Sequence, residues 1–294
     1  MGWTGLLMPL KTAIAAFAFQ KQASQSSTIL QKLGPRLSAV YRLVPSHAKG
    51  IVDVGCDHAL LGLALAAGRD HPNLRKVIGI DKALDPLDVA RQNLREHAYS
   101  RIEKYPLTAS LELRHGDGLE ALIPEDVNIV DTLCMAGLGS GTIIEVLSSL
   151  KYVREGAKFK YLVLQPFDSR PHYVNEVRDC VKSQGFSIQQ ERIDYVNSRW
   201  FVTMAASVNA NKADKAGQCE KVRYNSTCML GDALMRLARE DRRTHQIYAD
   251  YLCHHRDWYA SICKARNTRM PPEHDYVSQF LRAIEQEISE LRVH

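Results

Sequence analysis

Between residues 50 and 207, short apolar runs ending in Gly or Asp alternate with stretches of helical period, and no other feature restricts the possible folds as much. "GIVDVG" (50–55), "KVIGID" (76–81), "SLELRHGDG" (110–118), "VNIVDTLCMAG" (127–137) and "KYLVLQP" (160–166) read as strands. Between them "HALLGLALAAG" (58–68), "DPLDVARQNLREHAYS" (85–100), "GTIIEVLSSL" (141–150) and "PHYVNEVRDCVKSQG" (171–185) carry apolar residues at helical spacing. Asp85 is the predicted N-cap of the second helix, with Pro86 at its first position. Strands joined by helices imply a mostly parallel, doubly wound α/β sheet covered on both faces. Two last strands, "FSIQQERIDYV" (186–196) and "RWFVTMAAS" (199–207), follow each other without a helix. They bring the sheet to seven strands and predict an antiparallel strand at one edge.

The rest of the chain has other textures. Residues 1–30 form an N-terminal extension, 31–208 the α/β domain, 209–222 a small, polar, non-periodic linker, and 223–294 a helical hairpin or short coiled coil. In the last, Leu230, Leu234, Leu237, Tyr248, Tyr251, Trp258 and Ile262 follow one seam, interrupted by Asp241, Thr244 and His255. After Pro271-Pro272 the spacing returns in Val277, Leu281, Ile284, Ile288 and Leu291. The outer face of the first helix is basic, with Arg236, Arg239, Arg242, Arg243, Arg256, Lys264, Arg266 and Arg269. A net charge of +5 permits a polyanionic partner without demanding one.

With 45% hydrophobic residues the chain can build a real core, which excludes a disordered or fibrous protein. Its seven cysteines are scattered and hold no C-x-x-C pair, which excludes a disulfide framework and a structural zinc site and fits a reducing compartment. His245, His254 and His255 have no carboxylate to complete a metal set and read as surface or packing histidines, so no metal is expected. The first 52 residues contain no Asp or Glu. An acid-free, Ser-containing start is what transit peptides have, which would place the protein in a mitochondrion or plastid; without that role it would be cytoplasmic. "LLMPLKTAIAAFAF" is broken by Pro9 and Lys11 and is a poor membrane span, so no membrane is expected.

In an open parallel sheet, ligands bind beyond the carboxyl ends of the strands. Gly55 ends the first strand and permits a tight turn and close approach to a ligand. The pattern from Asp53 to Gly62 is not the dinucleotide form G-x-G-x-x-G, because Asp57 replaces the glycine that admits a pyrophosphate. A carboxylate there favours S-adenosylmethionine, which carries a sulfonium and an ammonium and no phosphate. Asp81 ends the second strand, placed for ribose hydroxyls, and Asp117 in "GDG" follows the third, placed for an adenine amino group. After the fourth strand, Ala136, Gly137, Leu138 and Gly139 offer no side-chain acceptor for an attacking NH2, which points to transfer onto a ring nitrogen or another atom with its own lone pair. A plain tight turn before a helix explains the same glycines.

"DVGCDHALLGLALA", "GDGLEAL", "MAGLGSGTIIEVL" and "LVLQPFDSRPHYVNEVRDCVKSQGFSI" together resemble the bacterial tRNA N1-adenine methyltransferases that act on adenosine 22. The resemblance runs from about Leu33 to the C-terminus and includes that family's coiled-coil domain. It implies a Rossmann-like methyltransferase fold, S-adenosyl-L-methionine as cofactor and tRNA as partner. It also implies a cofactor and target-base site built from Asp53, Gly55, Cys56, Asp57, His58, Asp81, Lys82, Asp117, Gly118, Ala136 and Gly137, with Asp57, Leu138 and Gln165 nearest the chemistry. Where the family has Tyr, Pro, Asn and a second Gly, this chain has Leu60, Gly62, Phe167 and Ser140. Phe167 stacks on a base in one reading and packs in the core in another; Asp57 positions the cofactor or orients the adenine amino group. A binding protein that has lost transfer activity, or a methyltransferase of a small molecule or protein, are the rival readings.

Overall fold

The computed structural model describes residues 32–101, 107–150, 159–208, 229–265 and 275–291. The acid-free extension 1–30, the linker 209–222, Arg266, Arg269 and Pro271-Pro272 lie outside the described residues. A helix over 32–43 (α1) precedes β1 (Gly50–Val54), α2 (Leu60–Ala67), β2 (Lys76–Asp81), α3 (Leu84–Arg101) and β3 (Ser110–His115). Then come β4 (Thr132–Leu138), α4 (Ser140–Ser149), β5 (Tyr161–Pro166), α5 (Pro171–Ser183), β6 (Phe186–Val196) and β7 (Arg199–Val208). Among the described residues three further helices follow: α6 (Asp232–Glu240), α7 (Arg242–Ala265) and α8 (Tyr276–Leu291).

The sheet order is β3-β2-β1-β4-β5-β7-β6, with β1 to β5 parallel. Because strand side chains alternate, successive residues of β1 serve opposite faces. Ile51 packs with Val77, Val163, Leu61, Leu65 and Val40 under α1 and α2. Val52 and Val54 pack with Ile78, Leu133 and Met135 against Ile143, Leu147, Val174 and Val177 of α4 and α5. A strand buried on both faces reads as a continuous apolar run, which is what "GIVDV" is.

Three expectations need correcting. The antiparallel strand β7 is not at the edge but inserted between β5 and β6. Asn197 and Ser198, both at positive φ, form the two-residue turn that folds β7 back on β6, and its other side pairs with β5. Asp85 is not an N-cap: α3 begins one residue earlier, and Asp85 lies in its first turn. The Asp81 side chain accepts from the Ala83 N–H at 2.9 Å, just ahead of the helix. The C-terminal region is also not one long helix and its partner. It breaks at Asp241, whose carboxylate accepts from the Thr244 N–H at 2.8 Å and caps α7.

His255, which reads in the sequence as an interruption of the apolar seam, lies inside it. The buried stripe of α7 is Tyr248, Tyr251, Leu252, His255 and Tyr259. Tyr248, Tyr251, Leu252 and Tyr259 of this stripe, Leu234 of α6 and Ile284 of α8 belong to the same apolar cluster as β4 and α5, so the appendage and the sheet share a core. Polar pins reinforce the joint: the Tyr251 hydroxyl donates to the Ser169 carbonyl at 2.6 Å, and the Tyr259 oxygen lies 2.6 Å from His172 Nδ1. Burial beside Arg170 pushes the His172 imidazole down to about 4, so it packs as the neutral ring.

Candidate active site

The carboxyl ends of five parallel strands meet at a cavity of about 430 Å³, within the range of small-ligand sites. At β1 the backbone turns at Gly55, whose φ is +73°. A Cβ there would come within 2.6 Å of the Leu138 side chain, so glycine serves both the turn and the close approach. The Gly55 and Cys56 N–H groups both donate to the Ile80 carbonyl, at 2.8 and 3.1 Å, and tie the turn to β2. Asp57 and Ala59 sit at φ +51° and +55°, two left-handed residues without a glycine, a conformation the surroundings must hold in place. Helix α2 then starts at Leu60 with no side-chain cap on its free N–H groups.

Asp81 at the end of β2 holds this turn. Its Oδ2 accepts from the Asp57 N–H at 3.0 Å while Oδ1 accepts from Ala83. Asp53, buried in β1, faces Asp81. Burial first, and the Asp81 charge second, push its carboxyl up to about 7, against the opposing pull of Arg36. Burial likewise pushes the Cys56 thiol up, keeping it neutral.

The remaining predicted residues arrive from the other strand ends. Asp117 and Gly118 follow β3, and Lys82 follows β2, all on the cavity wall. At the end of β4 the register shifts between Ala136 and Leu138, and Gly137 takes a φ of +82°. Ala136, Gly137 and Leu138 line the cavity there, and the Phe167 N–H bonds the Leu138 carbonyl at 2.8 Å. His58 lines it too, its Nε2 3.6 Å from Asp57 Oδ1 with both side chains largely open to solvent. Among the described residues no group of three or more His, Cys, Asp or Glu could hold a metal, and no helix is long and apolar enough to cross a membrane.

Gln165 is the exception among the predicted residues. It is fully buried and does not line the cavity. Its Oε1 accepts from Arg36 Nη1 at 3.0 Å, and its Nε2 donates to Thr203 Oγ1 at 2.7 Å. Gln165 therefore acts on the cavity through Arg36, which α1 brings against Gly137. Arg36, Arg199 and Phe201 are lining residues that the sequence motifs do not mark. Arg199 lays its guanidinium over Phe167, Cζ 4.3 Å from the ring centroid, and Arg36 stands 5.9 Å from the centre of Phe201.

The cavity is thus polarised along the sheet. Asp117, Asp81, Asp53 and Asp57 occupy the β3-β2-β1 side, and Phe167, Arg199 and Phe201 the β5-β7 side, with the Gly137 turn between them. A cationic ligand is favoured on the first side, and an anionic or aromatic one on the second.

Residues 33–204 match the family model described as a methyltransferase domain. No curated protein sequence matches the chain. Solved structures match almost end to end. Sp1610 of Streptococcus pneumoniae, described as a candidate tRNA (m1A22) methyltransferase, is 19% identical, with 87% of this chain and 99% of that one covered at a TM-score of 0.65. The B. subtilis M1A22 tRNA methyltransferase TrmK is 21% identical, covering 88% and 97%, at 0.57. M. capricolum TrmK, solved with S-adenosyl-homocysteine, is 20% identical, covering 89% and 96%, at 0.60. At these identities the likeness establishes the shared fold, appendage included.

Proposed function

This chain belongs to the methyltransferase-domain family, and from that premise we propose that it transfers a methyl group from S-adenosyl-L-methionine to N1 of an adenine in tRNA. The observation that carries the reading is the row of carboxylates at the ends of β1, β2 and β3 beside a glycine turn in which Asp57 stands where the dinucleotide pattern has a glycine. When bound, S-adenosyl-L-methionine supplies an electrophilic methyl group.

The residues present fit that group. Asp53 and Asp57 supply negative charge for its cationic centres, and the uncapped start of α2 offers N–H groups to its carboxylate. Each Asp81 oxygen is already bonded once to backbone and keeps a second lone pair for a ribose hydroxyl. Asp117 would accept from the adenine amino group, and Cys56, Gly118 and Ala136 line the walls. His58 and Lys82 shape the mouth.

On the acceptor side, Gly137 and Leu138 bring only backbone and an aliphatic side chain to the transfer point. Adenine N1 is unprotonated near neutral pH and needs no base. What the chain supplies is alignment and the exclusion of water, with Gln165 fixing Arg36 beside the Gly137 turn. The base of a folded tRNA has to be swung out to reach the cavity. The likeness to solved tRNA (m1A22) methyltransferases through the helical appendage supports tRNA as the substrate.

The test is to incubate the protein with labelled S-adenosyl-L-methionine and either total tRNA or a tRNA-free extract. Label in tRNA, with a primer-extension stop at one adenosine, is the expected result. Label confined to the tRNA-free extract overturns the reading.

A further inference from the structure

The carboxylate side and the Gly137 turn account for a cofactor and a transfer point, but not for the β5-β7 side of the cavity. There Phe167 follows directly after β5 with half of its surface exposed and lines the cavity. Its backbone is tied to the end of β4 by the bond from its N–H to the Leu138 carbonyl. Arg199, the first residue of β7, covers the ring with its guanidinium at 4.3 Å, and Phe201 lines the cavity two residues further on. Arg36 and Arg199 make this side repel the cation that the carboxylate side attracts. Aromatic faces and guanidinium planes together are the groups on which unstacked nucleobases bind, and the same arginines attract phosphate.

We propose that Phe167 and Arg199 form the platform that receives the extruded target base, with Arg199 also neutralising the phosphate beside that nucleotide. This rests on the reading of the chain as a tRNA methyltransferase. Because every base has a π-face, the platform supplies grip and placement of the nucleotide, while the choice of N1 is left to the Gly137-Leu138 turn.

The experiment uses the full chain, an unmodified tRNA transcript and saturating S-adenosyl-L-methionine, comparing wild type with Phe167→Ala, Phe167→Trp and Arg199→Lys. Loss of one stacking partner corresponds to about five- to 160-fold, so Phe167→Ala raises KM for tRNA by at least about five-fold. Cofactor Kd and thermal midpoint stay unchanged, and Phe167→Trp restores KM. Arg199→Lys keeps the charge but loses the plane and falls between. If wild type binds the cofactor and methylates no tRNA, the parent reading fails. If wild type methylates tRNA and Phe167→Ala matches it, or if Phe167→Ala loses cofactor affinity instead, the platform alone is overturned.

Discussion

Asp81 Oδ2 accepts the backbone N–H of Asp57 at 3.0 Å, while the other oxygen of the same carboxylate accepts from Ala83 at 2.9 Å. One side chain therefore holds the left-handed turn after β1 and the entry to α3 in register. Hydrogen bonds to a charged acceptor contribute about 1.5–3 kcal/mol each, and less at a partly exposed site. Asp81→Ala is expected to weaken S-adenosyl-L-methionine binding about tenfold or more and to lower the thermal midpoint by only a few degrees. Equilibrium dialysis measures the first and calorimetry the second. An unchanged Kd would place the ribose contact elsewhere.

Asp53 links cofactor binding to pH. Its carboxyl is pushed up to about 7 by burial and by Asp81, whereas in an unfolded chain it ionises near 4. Between those values the folded protein holds a proton that the unfolded chain has lost, so this group's contribution to stability falls as pH rises from about 4 to about 7 and is level above. A cationic ligand prefers the ionised form, so affinity for S-adenosyl-L-methionine should rise with pH up to about 7. Below that, binding should expel a proton. Titration calorimetry at pH 6.5 in buffers of different ionisation enthalpy should show the release, and Asp53→Asn should abolish it. Buffer-independent heats in the wild type count against the assignment.

The carboxylate side of this cavity is legible in the sequence for a simple reason. In a parallel sheet the last residue of every strand points to the same edge, so Asp53, Asp81, Asp117 and the Gly137 turn can be placed together from strand boundaries alone. The opposite side is not legible that way. Arg199 and Phe201 begin a strand rather than end one, and they reach the cavity only because β7 runs antiparallel between β5 and β6. A β7 at the sheet edge, as the strand order in sequence implies, would leave them remote from Phe167. Arg36 lies on a helix before the first strand, where its charge reads as one more basic residue of an acid-free segment. Its place on the cavity wall shows only in the fold, where it bonds Gln165, distant in sequence. Likewise the break at Asp241 is marked as a polar interruption of the seam, but whether such a residue caps a helix or is carried through it depends on packing.

Gln165 is expected to matter through Arg36. Replacing it with Leu keeps the volume near constant while removing the acceptor that fixes Nη1 and leaving the Thr203 hydroxyl without its donor. A Gln165→Leu protein should bind S-adenosyl-L-methionine nearly as well as wild type, because no carboxylate is disturbed. Its kcat for tRNA should fall about tenfold or more as the guanidinium loses its place beside Gly137. Gln165→Glu, which still presents an acceptor to Arg36, should recover most of the loss. Equal losses in both variants would mean that the residue serves the sheet interior rather than the site.

The joint between the sheet and the appendage turns on a buried ion pair. Arg178 of α5 donates to Glu191 of β6 at 2.7 Å with both side chains at most 2% exposed, and it also reaches the Met229 carbonyl at 3.4 Å. Among the described residues Glu191 Oε2 has no hydrogen-bond partner, and Gly231, at φ +97°, passes so close that a Cβ would meet that oxygen at 2.5 Å. Removing one member of such a pair strands a charge and costs about 3–5 kcal/mol, whereas replacing both with apolar side chains is often close to neutral. Arg178→Met should therefore lower the thermal midpoint by roughly 6 °C or more, and the Arg178→Met/Glu191→Leu double variant should recover most of it. Because the pair lies under the approach to α6, hydrogen exchange in the single variant should quicken in α6 to α8 before it does in β1 to β5. A double variant as unstable as the single one would mean that the pair is a net source of stability, and uniform exchange would mean that the appendage is held by the aromatic stripe alone.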